Sequence, residues 1–469
     1  MHRLKKIGSI KPKSAKEIQS SRLGIGFEKL DRDAFDPEKA YDKLEKIGVK
    51  WVRIQSGWQK TEKQKGVYNF AWLDAIVDNI IARGMTPWMC VCYGNALYDE
   101  IAAEVFGAAG CPPIHTEEQR TAWHDYCVAL AKHYKGRVER MEIWNEPDGL
   151  WKPWKYGDNA SEYGDFAVAT AKALREGNPD LYIIAGAMAK VRVCYLTEAF
   201  ERGMAPYINA ISFHAYLFDD RRLSGDIKAL RAVIDRYDPK IEIIQGESGS
   251  QTVPYGHGAL YQGAWTPKKQ CKQMLRHLIT DLGMGVLFTS YFSCMDMMEA
   301  MNGKVGDKKS YSDFGYFGVL GAEFDENGVA TGEYPAKPSY YTLQALASLF
   351  AGDIKAVSLP ITVEEDTAPH CGNIPSVTYA EMEDYGFRLD NGAYAYAYWI
   401  PSNFMTTEIE SAISLSCGGL GVPKLVDLMD GSVYEIPSSM METDGFGGVE
   451  LKLLPIRDYP LILVFGEIK

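Results

Sequence analysis

The chain has 469 residues, and 50 Lys+Arg against 62 Asp+Glu give it a formal charge of −12. It is too long for one ordinary domain, and too acidic for a nucleic-acid or anionic-membrane partner, both of which require a basic footprint. Nine cysteines without metal-type pairing read as reduced thiols of a cytoplasmic protein, the first ten residues lack the apolar segment of a secretory signal, and no apolar run is long enough to cross a bilayer.

In chain order, residues 1–22 form a leader too irregular to place, with packing on the C-terminal appendage as one option. From residue 23, short Val/Ile-rich runs alternate with longer helical patterns, the signature of βα units around a parallel sheet. Strands are expected at 23–27, 51–54, 86–91, 138–144, 181–186, 210–214, 241–246 and 286–291. Their nearly continuous apolar character suits strands covered on both faces. Helices are expected at 37–47, 72–83, 116–134, 160–176, 196–202, 226–237, 267–281 and 339–350. Thr116-Glu117-Glu118-Gln119 has the form of a capping box, and Gly48, Gly84, Gly177 and Gly203 follow last turns. Eight such pairs predict an α/β fold, a (β/α)8 TIM barrel over residues 23–350. Beyond residue 350 the pattern changes to alternating strands with turns, including the hairpin signal Asp430-Gly431, and predicts a small C-terminal antiparallel β-sandwich over 351–469.

Barrel chemistry gathers at the carboxyl ends of the strands. There the sequence places Glu28 after the first strand, Arg53 on the second, Asn145-Glu146 after the fourth, His214-Ala215-Tyr216 at the sixth, Glu247 at the seventh and Tyr291 at the eighth. Two strand-end glutamates suggest acid/base and nucleophilic work on a glycosidic bond. Glu146, between Asn145 and Pro147 and near Trp144, Trp151 and Trp154, suits a proton donor, whereas Glu247 near Arg53 and Tyr216 suits an ionised nucleophile. Blander readings stand beside these: His214 as a core histidine, Arg53 as a bridge between barrel carboxylates, and Trp58 or Trp265 as loop plugs rather than sugar platforms. Glu142 and Glu242 lie inside their strands and are read as structural. No His-x-His follows the first strand, so neither a metal nor an organic cofactor is expected.

Trp144-Asn145-Glu146-Pro147, His214-Ala215-Tyr216 and Gly246-Glu247-Ser248 together resemble the retaining glycoside hydrolases of clan A, nearest to family 39 with its β-xylosidases and α-L-iduronidases. Gly24-Ile25-Gly26-Phe27-Glu28, Trp51-Val52-Arg53-Ile54 and Gly66-Val67-Tyr68-Asn69-Phe70 extend the likeness. It implies Glu146 as general acid/base, Glu247 as nucleophile, Asn145 on the sugar 2-hydroxyl, and His214 and Tyr216 orienting nucleophile and substrate. Glu28, Arg53, Tyr291 and Trp265 complete the expected substrate-binding set. The segment 250–265 departs from the xylosidase and iduronidase pattern, which leaves the sugar open; Lys190, Arg192, Arg221 and Arg222 keep a uronate among the options.

The expectation is a retaining, exo-acting, β-xylosidase-like enzyme on an oligosaccharide or glycoside, with its two carboxyl groups ~5–5.5 Å apart. The long loops after strands seven and eight are expected to wall a pocket for chain ends. An endo-acting clan A glycanase and a non-catalytic carbohydrate-binding barrel remain as alternatives, and a homo-oligomer is left open.

Overall fold

The computed structural model describes residues 4–103, 111–149, 159–299, 313–363, 382–403, 405–443 and 448–468. Eight parallel strands close into a barrel: Leu23–Gly26, Trp51–Gln55, Thr86–Val91, Arg140–Ile143, Tyr182–Met188, Ala210–His214, Glu242–Ser248 and Thr289–Tyr291. Closure comes from the first strand pairing with both the second and the eighth, with Gly24 opposite Trp51 and Ser290. All eight expected strands are present; only their ends move, because backbone pairing, not side-chain type, decides where a strand stops.

The helices lie on the outside. Thr116 accepts from the Gln119 backbone amide while the Gln119 side chain returns to the cap, so the capping box forms and starts Glu117–His133. The expected 37–47 helix divides into a 3-10 turn, Pro37–Lys39, and an α-helix, Tyr41–Ile47, closed by Gly48 at φ 87°. Only a residue without Cβ strain takes that left-handed conformation cheaply.

The leader, unplaced by sequence, supplies a strand to the far domain. Lys5–Ser9 pairs antiparallel with Ser432–Glu435 at the edge of a seven-stranded sheet that also contains Leu461–Phe465 and Tyr394–Trp399. A four-stranded sheet built on Glu410–Cys417 and Val449–Arg457 completes the sandwich, and Trp399 is buried as core. Asp430-Gly431 closes the hairpin in which Asp427 faces Ser432.

Helix Pro267–Gly283 is the joint between barrel and sandwich, with Lys272, Arg276, His277 and Asp281 all buried. Lys272 Nζ reaches both oxygens of Asp458, at 2.8 and 2.7 Å, and Arg276 donates to the Ser402 carbonyl at 2.9 Å. Buried charges need such partners: the second domain supplies Asp458 and the Ser402 carbonyl, and the barrel supplies Asp220 to Arg276 and Thr289 to Asp281. Among the described residues no helix is long and apolar enough to cross a membrane.

Candidate active site

Arg53 organises the carboxyl-end face of the barrel. It is fully buried, its guanidinium lies 5.5 Å from the Trp88 ring centre, and its donors spread over three carboxylates and an amide. Nε donates to Glu142 Oε2 at 2.9 Å, Nη1 to Glu28 Oε1 at 3.0 Å and to Glu247 Oε1, and Nη2 to Asn145 Oδ1 at 2.8 Å and again to Glu142. One planar fork thus fixes four strand ends relative to one another. Glu142, read from sequence as a strand residue, does its work here as the deepest of these counter-charges.

Glu247 is held from its other oxygen by the Tyr216 hydroxyl at 2.7 Å. Burial pushes its carboxyl up, yet the charges of His214 and Arg53 and the hydrogen bonds from Tyr216 and Arg53 outweigh burial and leave it below the usual carboxylate range. His214 Nδ1 stands 2.8 Å from Glu146 Oε1 and 3.6 Å from Glu247 Oε2. Burial opposes charging the ring, but the two glutamates prevail and raise its pKa to about 8. Glu146, His214 and Glu247 each present an atom within 4.8 Å of the others. That set could be offered to a cation, but Arg53 and the His214 ring already balance its charge and direct its lone pairs.

Local backbone aims these groups. Trp144 and Glu146 adopt left-handed φ of 65° and 49°, and the Glu146 amide donates to the Ala187 carbonyl at 2.8 Å. Non-glycine residues seldom hold such angles unless the surroundings enforce them, as at functional sites. Gly246, beside Glu247, has no room for a side chain: a Cβ there would lie 2.5 Å from Ser212 Oγ and 3.2 Å from Glu142 Oε1.

A cavity of about 500 Å³ opens over these groups, lined by Glu28, Asn145, Glu146, Tyr216 and Glu247. Four other expected contacts lie behind or beside it. Arg53 and His214 sit beneath and contact the glutamates of the floor. Tyr291 is buried and its hydroxyl donates to the Phe317 carbonyl at 3.2 Å, which corrects its expected place among the substrate contacts. Trp265 is also corrected: it is buried, donates to the Leu260 carbonyl at 2.8 Å and stacks against Phe218, so it props the wall rather than forming it. Trp58 is buried too, stacked on Tyr98 and Tyr126. Trp151 and Trp154 lie outside the described residues.

The wall itself includes residues that sequence did not assign: Lys29, Arg32, Tyr93, Phe218, Tyr261 and Glu299. They lie in the connections that follow the barrel strands, some directly after a strand and others, such as Tyr261 and Glu299, well along the loop. Of the cationic residues considered for a uronate, Lys190 lines the cavity, whereas Arg221 and Arg222 are engaged with Asp219 and Asp226.

Glu28 is a further carboxyl group of the cavity. Burial raises its pKa to about 7, a rise that Arg53 opposes and Glu247 reinforces. A carboxyl raised in the folded state above its unfolded value of about 4.5 stabilises the fold fully below that lower value and loses the contribution as pH climbs toward 7. Glu28→Gln does not titrate and keeps an oxygen for Arg53. Its melting temperature relative to wild type is therefore expected to rise between pH 5 and pH 8, as read by thermal melts at each pH. A constant difference across that range would refute the assignment.

Comparison with known proteins places this geometry in context. Residues 28–229 match the family model for glycosyl hydrolases family 39. A β-xylosidase of Geobacillus stearothermophilus is 27% identical over 222 residues, 42% of either chain. An endo-1,4-β-xylanase C of Phanerodontia chrysosporium is 30% identical over 172 residues, 34% of this chain and 40% of that one. The matches thus span about two fifths of these relatives' length. Among solved structures, a family 39 glycoside hydrolase from Bacteroides cellulosilyticus WH2 aligns with TM-score 0.65 at 14% identity, over 97% of this chain and 82% of that one. A monomeric β-xylosidase from Caulobacter crescentus aligns with TM-score 0.57 at 15% identity over 97% of both chains. These likenesses extend through the sandwich and establish the shared fold. Over residues 28–229 the chain is similar to glycosyl hydrolases family 39, the family that its strand-end motifs resemble.

Proposed function

We propose that this family 39-like chain is a retaining glycoside hydrolase that removes terminal β-linked sugars of the xylose type from oligosaccharides. The observation that carries the reading is the carboxylate pair: an oxygen of Glu146 and one of Glu247 approach within 4.8 Å across the cavity floor. Retaining enzymes hold their two carboxyl groups ~5–5.5 Å apart, whereas inverting ones leave ~6.5–9.5 Å for a water. The xylose preference is supported by the β-xylosidase and xylanase relatives.

In the first step Glu247 attacks the anomeric carbon, the bond to the leaving oxygen breaks, and Glu146 gives that oxygen its proton. In the second, Glu146 takes a proton from water, whose oxygen displaces Glu247 and frees the sugar. Arg53 and Tyr216 hold Glu247 ionised and aimed. His214 holds Glu146 between the two steps. Asn145, whose oxygen is taken by Arg53, has its amide hydrogens left for a sugar hydroxyl.

The test is a panel of nitrophenyl glycosides covering β-xyloside, β-glucoside, β-galactoside, α-arabinosides and iduronide, with product configuration followed by NMR. Release of β-xylose as the first-formed product is expected. An α first product, or release of none of these sugars, would overturn the reading. A second reading, cleavage within a polymer, is favoured by one observation: the cavity shares Arg32 and Tyr93 with a neighbouring one. Polymer viscosity falling before free sugar appears would select it. A cytoplasmic location is proposed alongside, supported by the eight described cysteines being unpaired thiols, seven of them buried.

A further inference from the structure

Beside the catalytic cavity, on the side of the first three barrel strands, lies a second one of about 460 Å³. Both are of a size that encloses small ligands, ~300–1,000 Å³. Arg32 and Tyr93 belong to both, so the two are separated by a sill rather than by a layer of core. That sill is rigid. The Arg32 guanidinium lies 5.6 Å from the Tyr93 ring centre, pairs with Asp31 at 3.2 Å and donates to Gln55 Oε1.

The lining of the second cavity is mixed. Trp72 is half-buried, its indole N–H is fixed by Thr61 Oγ1 at 3.1 Å, and Lys60 Nζ lies 4.7 Å from its ring centre. Around it stand Asp33, Gln59, Lys63 and Asn69. Its charges are largely cancelled on the spot, because Lys60 pairs with Asp33 and Arg32 with Asp31. Two of the three cations of the lining are thus spent on carboxylates, and with Lys63 it offers an aromatic surface with donors and acceptors of both kinds, the chemistry of a polyhydroxylated ring. Gly57 belongs to the same lining, and its lack of a side chain lets the backbone pack close against the Trp72 ring. A Cβ there would come within 2.5 Å of Asp31 Cβ and 2.8 Å of the Trp72 ring.

We propose that the second cavity is a distal sugar subsite, with Trp72 as its platform, so that one oligosaccharide spans both cavities across the Arg32–Tyr93 sill. This rests on the glycosidase reading for the identity of the ligand, but not on turnover. A substrate of several rings then binds more tightly than an aryl monoside, which fills the catalytic cavity alone.

The test is calorimetric titration of the full chain carrying Glu146→Gln, so that bound sugar is not consumed. Xylotetraose and nitrophenyl β-xyloside are the probes, and Trp72→Ala and Lys63→Trp are each added to that background. Trp72→Ala removes the platform. Lys63→Trp fills the cavity from an exposed position and is expected to leave the fold intact, as a thermal melt reports. The ratio of tetrasaccharide to aryl-monoside affinity is expected to fall at least tenfold in both variants. A ratio that neither variant changes, or absence of tetrasaccharide binding, would overturn the proposal. Tryptophan-dependent tetrasaccharide binding by a chain whose wild type hydrolyses no glycoside would instead uphold the subsite and refute the glycosidase reading.

Discussion

Glu247→Ala is expected to lower turnover of the best aryl glycoside by on the order of 10⁵-fold, the scale on which removal of a covalent nucleophile is felt. Azide is expected to restore product as a glycosyl azide of inverted anomeric configuration. The physical reason is that alanine leaves Glu146 and its His214 partner in place while opening the space into which a small anion fits. Arg53 keeps Glu28 and Glu142 as counter-charges, so the fold has no new unpaired cation to bury. A melting temperature near that of wild type, with activity lost and rescued, separates chemistry from stability. Activity lost without any azide product, in a folded protein, would count against Glu247 as the nucleophile.

Arg53→Met is expected to be the most destabilising single change in the barrel. It leaves Glu142, Glu28 and Glu247 buried together without their shared cation, and breaking a buried charge pair costs about 3–5 kcal/mol. The loss depends on pH in a defined direction. Without Arg53, Glu28 loses the main charge that opposes its rise, and Glu247 loses one of the charges that hold it down, so both move up. The variant is then closest to wild type below about pH 4.5 and falls behind as pH rises. Denaturant melts at several pH values read this. Adding Glu142→Gln to the variant removes the innermost orphaned charge and is expected to recover part of the stability at neutral pH, a coupling that a double-mutant cycle measures. Equal destabilisation at every pH, with no recovery, would show that Arg53 matters for packing alone.

Several parts of this site were legible because the residue type itself carries the constraint. Glu146 between Asn145 and Pro147, and Glu247 at the end of an apolar run, can be placed by the rule that barrel strands present their chemistry at the carboxyl end. Thr116 and Gln119 announce a helix start because the hydrogen bonds are local. Arg53 was visible as a strand-end cation, with a bridge between barrel carboxylates among its readings, but which carboxylates it joins was not. They are Glu28, Glu142 and Glu247, which stand 25, 89 and 194 residues away in the chain. Tyr291 and Trp265 had the right residue type in the right neighbourhood, yet one turns to the Phe317 carbonyl and the other to that of Leu260. Rotamer and loop path decide such cases, and neither leaves a periodic trace.

Sequence alone determined the eight βα units, the appended β-domain and the two glutamates, because hydrophobic periodicity and capping act over a few residues. Only the tertiary structure decided that the leader is a strand of the distant sandwich, that one guanidinium serves three carboxylates, and that a second cavity adjoins the first. Each of those depends on groups far apart in the chain meeting in space, where barrel closure, burial and charge balance act on all of them together.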